Sequence, residues 1–175
     1  MPRIHVIGSA GAGKTVLAFR LAEAFNVDHI ELDNLFWGDH WQPAETEEFQ
    51  RTVREALTAE NWVADGNYSK VRPIVWERAQ IVVWLDYPLM LVLLRLFKRS
   101  LRRVFGKELL WGRNRESFQA QFLSRDSLFL YVLRTHQTRR TLYEQLSRLP
   151  ETAGIKFIRL RSPRQTEQWA REFIS

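Results

Sequence analysis

Apolar positions along the chain alternate between two spacings. Short runs at residues 4–7, 27–32, 62–64, 81–85 and 155–160 read as strands, most plainly Ile81-Val82-Val83-Trp84-Leu85. Between them the period turns helical. Val16, Leu17, Leu21, Ala24 and Phe25 predict a helix of about three turns starting at Lys14. Residues 46–59 predict an amphipathic helix with Phe49, Val53, Ala56 and Leu57 inward, and a short helical turn follows around 74–77. Pro88 opens a long helix to about Phe105, because proline suits a first turn where its missing N–H has no partner. Asp126 or Ser127 caps a further helix to about Leu149. Ser162-Pro163-Arg164-Gln165 is a capping box that starts the last one. Residues 33–43, with Trp37 and Trp41, read as loop, and residues 106–125 as an irregular basic segment.

Strands that alternate with helices predict an α/β fold, its parallel sheet covered on both faces. No internal repeat, low-complexity stretch or linker interrupts the 175 residues, so one domain is expected, with 106–125 as an inserted lid. The chain opens directly on a strand motif, which leaves no room for a signal peptide. Its longest apolar run, 88–94, is stopped by Arg95, far short of the ~20 residues that cross a bilayer. A soluble, cytoplasmic protein is the expectation. Cysteine is absent, which excludes disulfides, zinc–thiolate sites and iron–sulfur clusters.

Charge changes the picture further. The net charge is +6, and all but five of the 26 basic residues are arginines, which pair with phosphate or carboxylate as a planar fork. Arg95, Lys98, Arg99, Arg102, Arg103, Lys107, Arg113 and Arg115 face a single acidic residue, Glu108, within one stretch. That stretch implies a polyanionic partner, either a nucleotide or a nucleic acid, unless it is a solvated helix face.

The most specific chemistry lies between the first strand and the first helix. Gly8-Ser9-Ala10-Gly11-Ala12-Gly13-Lys14-Thr15 matches G-x-x-x-x-G-K-[ST], the P-loop, in the strand–turn–helix context the motif requires. Its backbone N–H groups form an anion nest at a helix N-terminus. Lys14 supplies charge to the β- and γ-phosphates, and the Thr15 hydroxyl is a ligand for Mg²⁺. ATP or GTP with Mg²⁺ is therefore the expected cofactor set. A second acidic group is needed for the metal. Asp65, ending the third strand, is the first candidate, and Asp86, which also follows an apolar strand, is its rival. Asp33, after the second strand, is a candidate to accept a proton from a substrate hydroxyl. Trp37, Trp41 and Tyr68 are either walls of an acceptor pocket or ordinary packing anchors.

With these residues placed, the chain resembles the nucleoside-monophosphate-kinase branch of P-loop proteins. It is most similar to the adenylate-kinase-related proteins labelled DNA-topology-modulation (FlaR-type). The resemblance rests on the P-loop, the segment His29-Ile30-Glu31-Leu32-Asp33-Asn34-Leu35-Phe36-Trp37, Asp65-Gly66-Asn67-Tyr68, Leu85-Asp86-Tyr87-Pro88 and Arg159-Leu160-Arg161-Ser162-Pro163. It implies a five-stranded sheet in the order 2-3-1-4-5 with a mobile lid. It also implies Asp65 near Mg²⁺, and phosphate-binding arginines seven and eleven residues past the fourth-strand proline, which are Arg95 and Arg99 here. In such folds the lid would bring Arg113, Arg115 or Arg125 onto phosphate, and Arg161 lies where the adenine-contacting loop is placed. Four residues after the strand-end aspartate, adenylate kinases carry an arginine for the acceptor's phosphate; this chain has Ser69, with Arg72 nearby. Asp33 is more like the small-hydroxyl kinases, such as shikimate and gluconate kinases.

The expected function is transfer of a phosphoryl group from ATP to a small hydroxyl-bearing acceptor, such as a nucleoside, nucleotide or metabolite. A nucleotide-dependent nucleic-acid-binding protein and a slow ATPase are the alternatives.

Overall fold

The computed structural model describes residues 2–106, 109–110, 114–115 and 127–175, with side chains over 2–102 and 127–175. Five strands, β1 (Ile4–Gly8), β2 (Asp28–Glu31), β3 (Trp62–Asp65), β4 (Ile81–Leu85) and β5 (Lys156–Leu160), form one parallel sheet in the order β2-β3-β1-β4-β5. This is the 2-3-1-4-5 order. Seven helices accompany them among the described residues: α1 (Lys14–Phe25), α2 (Leu32–Phe36), α3 (Thr46–Ala56), α4 (Arg72–Arg78), α5 (Leu89–Gly106), α6 (Leu128–Leu146) and α7 (Pro163–Ile174).

Alternation along each strand divides the core in two. Ile4 and Val6 of β1 and Ile81, Val83 and Leu85 of β4 point toward Leu17 and Leu21 of α1, Val92 and Leu96 of α5, and Ala170 of α7. Ile7, Val82 and Trp84 point the other way, toward Phe49 and Val53 of α3 and Ile74, Val75 and Trp76 of α4. Helix α6 supplies Val132 to the first cluster and Tyr143 to the second. The central strands β3, β1 and β4 are therefore buried on both faces, which is why β1 and β4 read as near-continuous apolar runs, while the edge strands β2 and β5 stay partly exposed. In α1 the inward residues are Leu17, Ala18, Leu21 and Ala22, while Val16 is 75% exposed. Two small alanines let α1 lie close to the sheet.

Three local features differ from the expectation. Residues 33–43 are not plain loop: Asp33 lies in the first turn of α2, and a 3-10 turn follows over Asp39–Trp41. An acidic residue is favourable there, beside the positive end of the helix dipole. The segment after α2 is tied to itself by hydrogen bonds from Gly38 N to Gln42 O and from Ala44 N to Phe36 O, at 2.8 Å each, and by a bridge between Trp37 and Pro43. The helix predicted for 46–59 ends at Ala56. Within 106–125, Leu109–Leu110 pairs antiparallel with Asn114–Arg115, and this ribbon lies beside the Asp39–Trp41 turn. Strands of two residues are too short for any periodicity to register. The rest of the expected lid, including Arg113 and Arg125, lies outside the described residues, as does the Arg115 side chain.

Candidate active site

The loop from Gly8 to Thr15 holds backbone geometry that only glycine adopts easily. Gly8 has φ of 148°, and a Cβ there would lie 2.7 Å from the Leu85 carbonyl oxygen. Gly11 has φ of 83°, with the Val92 carbonyl 2.9 Å from the same hypothetical atom. The loop is thus pressed against β4 and α5, with no room for a side chain at either position. Helix α1 starts without a side-chain cap or an acidic residue in its first turn, so its free N–H groups and its dipole remain available to an anion.

Lys14 lies inside this loop, its Nζ 3.4 Å from the Ser9 carbonyl oxygen. Burial pushes its ammonium below the ordinary lysine range; Asp33 and Asp65 pull it back up, while Arg99 and Arg139 push it down. Charges of both signs therefore act on the one ammonium. Such a balance suits a site built to receive several phosphate charges.

Next along the chain from Lys14, Thr15 Oγ1 donates to Asp65 Oδ2 at 2.8 Å. The other Asp65 oxygen, Oδ1, lies 2.9 Å from His29 Nε2, and Asp65 is 1% exposed. A hydroxyl beside a buried carboxylate is the hard-oxygen donor set that Mg²⁺ prefers. Asp86 is differently engaged: its Oδ2 accepts from Arg159 Nε at 2.8 Å and Nη2 at 2.6 Å, and Arg140 Nε lies 3.2 Å away. The Arg159 guanidinium also covers the Trp84 ring.

The other carboxylate that acts on Lys14 is Asp33, whose Oδ1 accepts from the Tyr68 hydroxyl at 2.6 Å. Burial first, and the Asp33 charge second, hold the Tyr68 phenol protonated far above its ordinary range. Tyr68, Phe36 and Phe49 meet ring to ring, and Trp37 and Trp41 extend the cluster. His40 and Trp41, with φ of 54° and 60°, are successive non-glycine residues in the left-handed region, each at a cost of about 1–2 kcal/mol. Packing around the aromatic cluster has to offset that cost.

The two arginines projected from the fourth-strand proline part company. Arg99 acts on Lys14, whereas Arg95 Nη1 donates to the Ala12 carbonyl at 3.1 Å and its guanidinium lies 5.3 Å from the Tyr87 ring centre. Arg95 thereby braces the back of the loop. Arg161 is exposed, its N–H bonded to Gln165 Oε1 at 2.7 Å where α7 begins. Ser69 is exposed, and Arg72 lies over the Trp76 ring.

Four further residues reach the site without a sequence signal strong enough to single them out. His29 meets Asp65, and His136 Nδ1 meets Ser9 Oγ at 3.2 Å. Burial holds His136 below the ordinary histidine range, partly offset by Asp86. Arg139 acts on Lys14 and on the Tyr143 hydroxyl. The Asn67 side chain bonds both backbone groups of Gly8 and accepts from Tyr143 at 3.2 Å.

No family model matches the chain. The uncharacterized protein YqaC of Bacillus subtilis (strain 168) is 28% identical over 128 residues, which is 72% of this chain and 71% of that protein. Shikimate kinase from Acinetobacter baumannii, solved in complex with shikimate, superposes with a TM-score of 0.58 at 17% identity, over 99% of this chain and 91% of that one. Shikimate kinase from Bacteroides thetaiotaomicron gives 0.55 at 19% identity, over 98% and 95%. An uncharacterized protein from Eubacterium ventriosum ATCC 27560 gives 0.54 at 12% identity, over 99% and 96%.

The fold is that of the P-loop kinases. In a P-loop kinase fold, ligands gather at the carboxyl ends of the parallel strands. Gly8, Asp65 and Asp86 stand at or just past such ends here, and Asp33 stands two residues past another, in the first turn of α2. Among the described residues no helix is long and apolar enough to cross a membrane.

Proposed function

We propose that this chain is a Mg²⁺- and ATP-dependent phosphotransferase whose acceptor is a small molecule bearing a hydroxyl group. The observation that carries this reading is a pair of carboxylates beside the P-loop, each held by a hydroxyl partner and each acting on the Lys14 charge: Asp65 held by Thr15 of the loop itself, and Asp33 held by Tyr68. One carboxylate serves the metal and the other serves the acceptor. When bound, Mg²⁺ draws charge from the β- and γ-phosphate oxygens, and Thr15, with Asp65 behind it, would hold it.

The protein's own groups do the rest. The loop N–H groups from Ser9, Ala10, Gly11 and Gly13 cradle the phosphates of ATP (or GTP), with Gly8 and Ala12 holding the loop in shape through their own hydrogen bonds, and Lys14 and Arg99 neutralise charge on the transferring group. The Asp33 oxygen not engaged by Tyr68 accepts the proton of the attacking hydroxyl. The acceptor oxygen bonds to γ-phosphorus as the bond to the β–γ bridging oxygen breaks, and ADP leaves with that electron pair. Arg95 keeps the loop in shape from behind. Arg113, Arg115 and Arg161 complete the nucleotide side as the lid and adenine-loop residues.

Ser69 in place of an arginine favours an acceptor without a phosphate, such as a nucleoside or a sugar acid. The structural neighbour solved with shikimate, a hydroxy acid, supports the same class of acceptor. Asp33→Asn tests the assignment. Phosphorylation of the acceptor should fall by about 10²-fold or more, the usual scale for a positioned proton acceptor, with ATP affinity nearly unchanged. Phosphorylation of AMP or CMP at a rate indifferent to Asp33→Asn would overturn it.

A further inference from the structure

Asp65, the proposed metal carboxylate, is held by more than the P-loop threonine. Strand register pairs Glu31 with Asp65 and His29 with Val63. Side chains two apart on a strand share a face, so His29 stands one step behind Asp65 on the same face and reaches it diagonally. His29 Nε2 lies 2.9 Å from Oδ1, while Thr15 Oγ1 donates to Oδ2 at 2.8 Å. The carboxylate is thus gripped at both oxygens by groups from two different elements, β2 and α1. The imidazole is itself fixed, with its side chain 16% exposed and its ring edge-on to Phe19.

We propose that His29 is the positioning residue for the metal-binding carboxylate, a role that rests on Asp65 serving Mg²⁺. A carboxylate held at one oxygen swings about its Cβ–Cγ bond. Held at both, it presents its remaining lone pairs in one direction, which is what a metal with strict octahedral demands requires. Thr15 alone would not supply this, because the hydroxyl that donates to Asp65 would also have to serve as a metal ligand. The second grip comes from the neighbouring strand, whose next residues lead straight into Asp33. The same short segment, His29 to Asp33, therefore orients the metal carboxylate and carries the acceptor carboxylate.

The test compares His29→Phe, which keeps an aromatic ring beside Phe19 but removes the donor, with His29→Gln, which restores an N–H donor. ADP binding is measured calorimetrically without metal and across a Mg²⁺ titration. His29→Phe should raise the half-saturating Mg²⁺ concentration by about tenfold or more and leave metal-free ADP affinity within about twofold, while His29→Gln recovers most of the loss. A histidine that merely satisfies a buried carboxylate would lower the melting temperature and leave the Mg²⁺ titration in place; that result overturns the proposal. Equal weakening of metal-free and Mg²⁺-bound ADP overturns it too. If His29→Phe does not fold, His29→Asn, too short to reach Asp65, takes its place with the same expected outcome. A wild-type protein whose ADP affinity ignores Mg²⁺ would remove the metal role of Asp65 itself, a failure distinct from a wild type that responds to Mg²⁺ and a His29→Phe that responds equally.

Discussion

Lowering the pH from about 7.5 to about 5 should destabilise this protein through one buried histidine. His5 is 2% exposed. Its Nε2 lies 3.0 Å from the Gly66 carbonyl oxygen, and its Nδ1 accepts from Trp76 Nε1 at 2.9 Å. A carbonyl only accepts and an indole only donates, so Nε2 carries the proton, Nδ1 is bare, and the ring is neutral. Burial pushes its pKa from 6.5 down to about 4, against weaker upward pulls from the Gly66 carbonyl and Asp65. Below pH 6.5 the unfolded chain takes up a proton that the folded chain refuses until about pH 4. The unfolded state binds more protons throughout that window, so stability rises with pH across it. The contribution is complete above pH 6.5 and is lost as the pH falls toward 4. At about 1.4 kcal/mol per pH unit, the window spans about 3 kcal/mol, of which about 2 kcal/mol has gone by pH 5. Urea unfolding, followed by tryptophan fluorescence at the two pH values, measures the loss in wild type and in His5→Gln, which keeps a donor and an acceptor but does not titrate. Wild type should lose about 2 kcal/mol more than the variant. Equal losses in the two proteins would refute the reasoning.

Other outcomes follow from the same geometry. Lys14→Ala should abolish phosphoryl transfer, read with γ-labelled ATP, because the γ-phosphate loses its buried cation; a rate within about threefold of wild type would sink the P-loop assignment. Asp65→Asn should weaken Mg²⁺-bound ADP while leaving metal-free ADP little changed. Asp86→Asn should instead cost about 1–3 kcal/mol of stability, because Arg159 keeps Glu144 at 2.7 Å and Arg140 is half in solvent, and leave the Mg²⁺ titration unaltered; a reversal of these two patterns would make Asp86 the metal carboxylate. If the basic residues between Arg95 and Arg115 serve nucleic acid, binding to a DNA duplex should fall steeply as salt rises, whereas a kinase with no such role should show no specific retention at physiological salt.

The strands and the P-loop were legible for a shared reason. A strand buried on both faces must be apolar nearly throughout, and a loop that receives phosphate on its backbone must be rich in glycine. Both requirements are local, so Ile81–Leu85 and Gly8–Thr15 can be read without knowing their neighbours. Helix α2 was not legible, because five residues make too little helix for any period to appear, and Asp33 was expected at a strand end rather than in a first turn. Val16 and Ala24 fit the apolar period expected of α1 yet face solvent, while Ala18 and Ala22, which that pattern left out, pack against the sheet.

The partners of the site were hidden by separation along the chain. His29 meets Asp65 across 36 residues, and His136 meets Ser9 across 127. A lone histidine on a strand and another in a long polar helix give no local sign of what they touch. The choice between Asp65 and Asp86 belongs to the same class. Both follow apolar strands in sequence, and only folding brings Thr15 to one and Arg159 and Arg140 to the other.

In the proposed reaction a phosphoryl group passes from ATP to a small hydroxyl held near Lys14 and Asp33. Its most direct test is a transfer assay with γ-labelled ATP and Mg²⁺ against nucleosides, nucleoside monophosphates, polyols and hydroxy acids, run on wild type and on Lys14→Ala. Label should appear on an organic hydroxyl of a nucleoside or hydroxy acid with wild type, and on nothing with Lys14→Ala. Label recovered only as inorganic phosphate with every acceptor, or on the phosphate of AMP or CMP, would contradict the account.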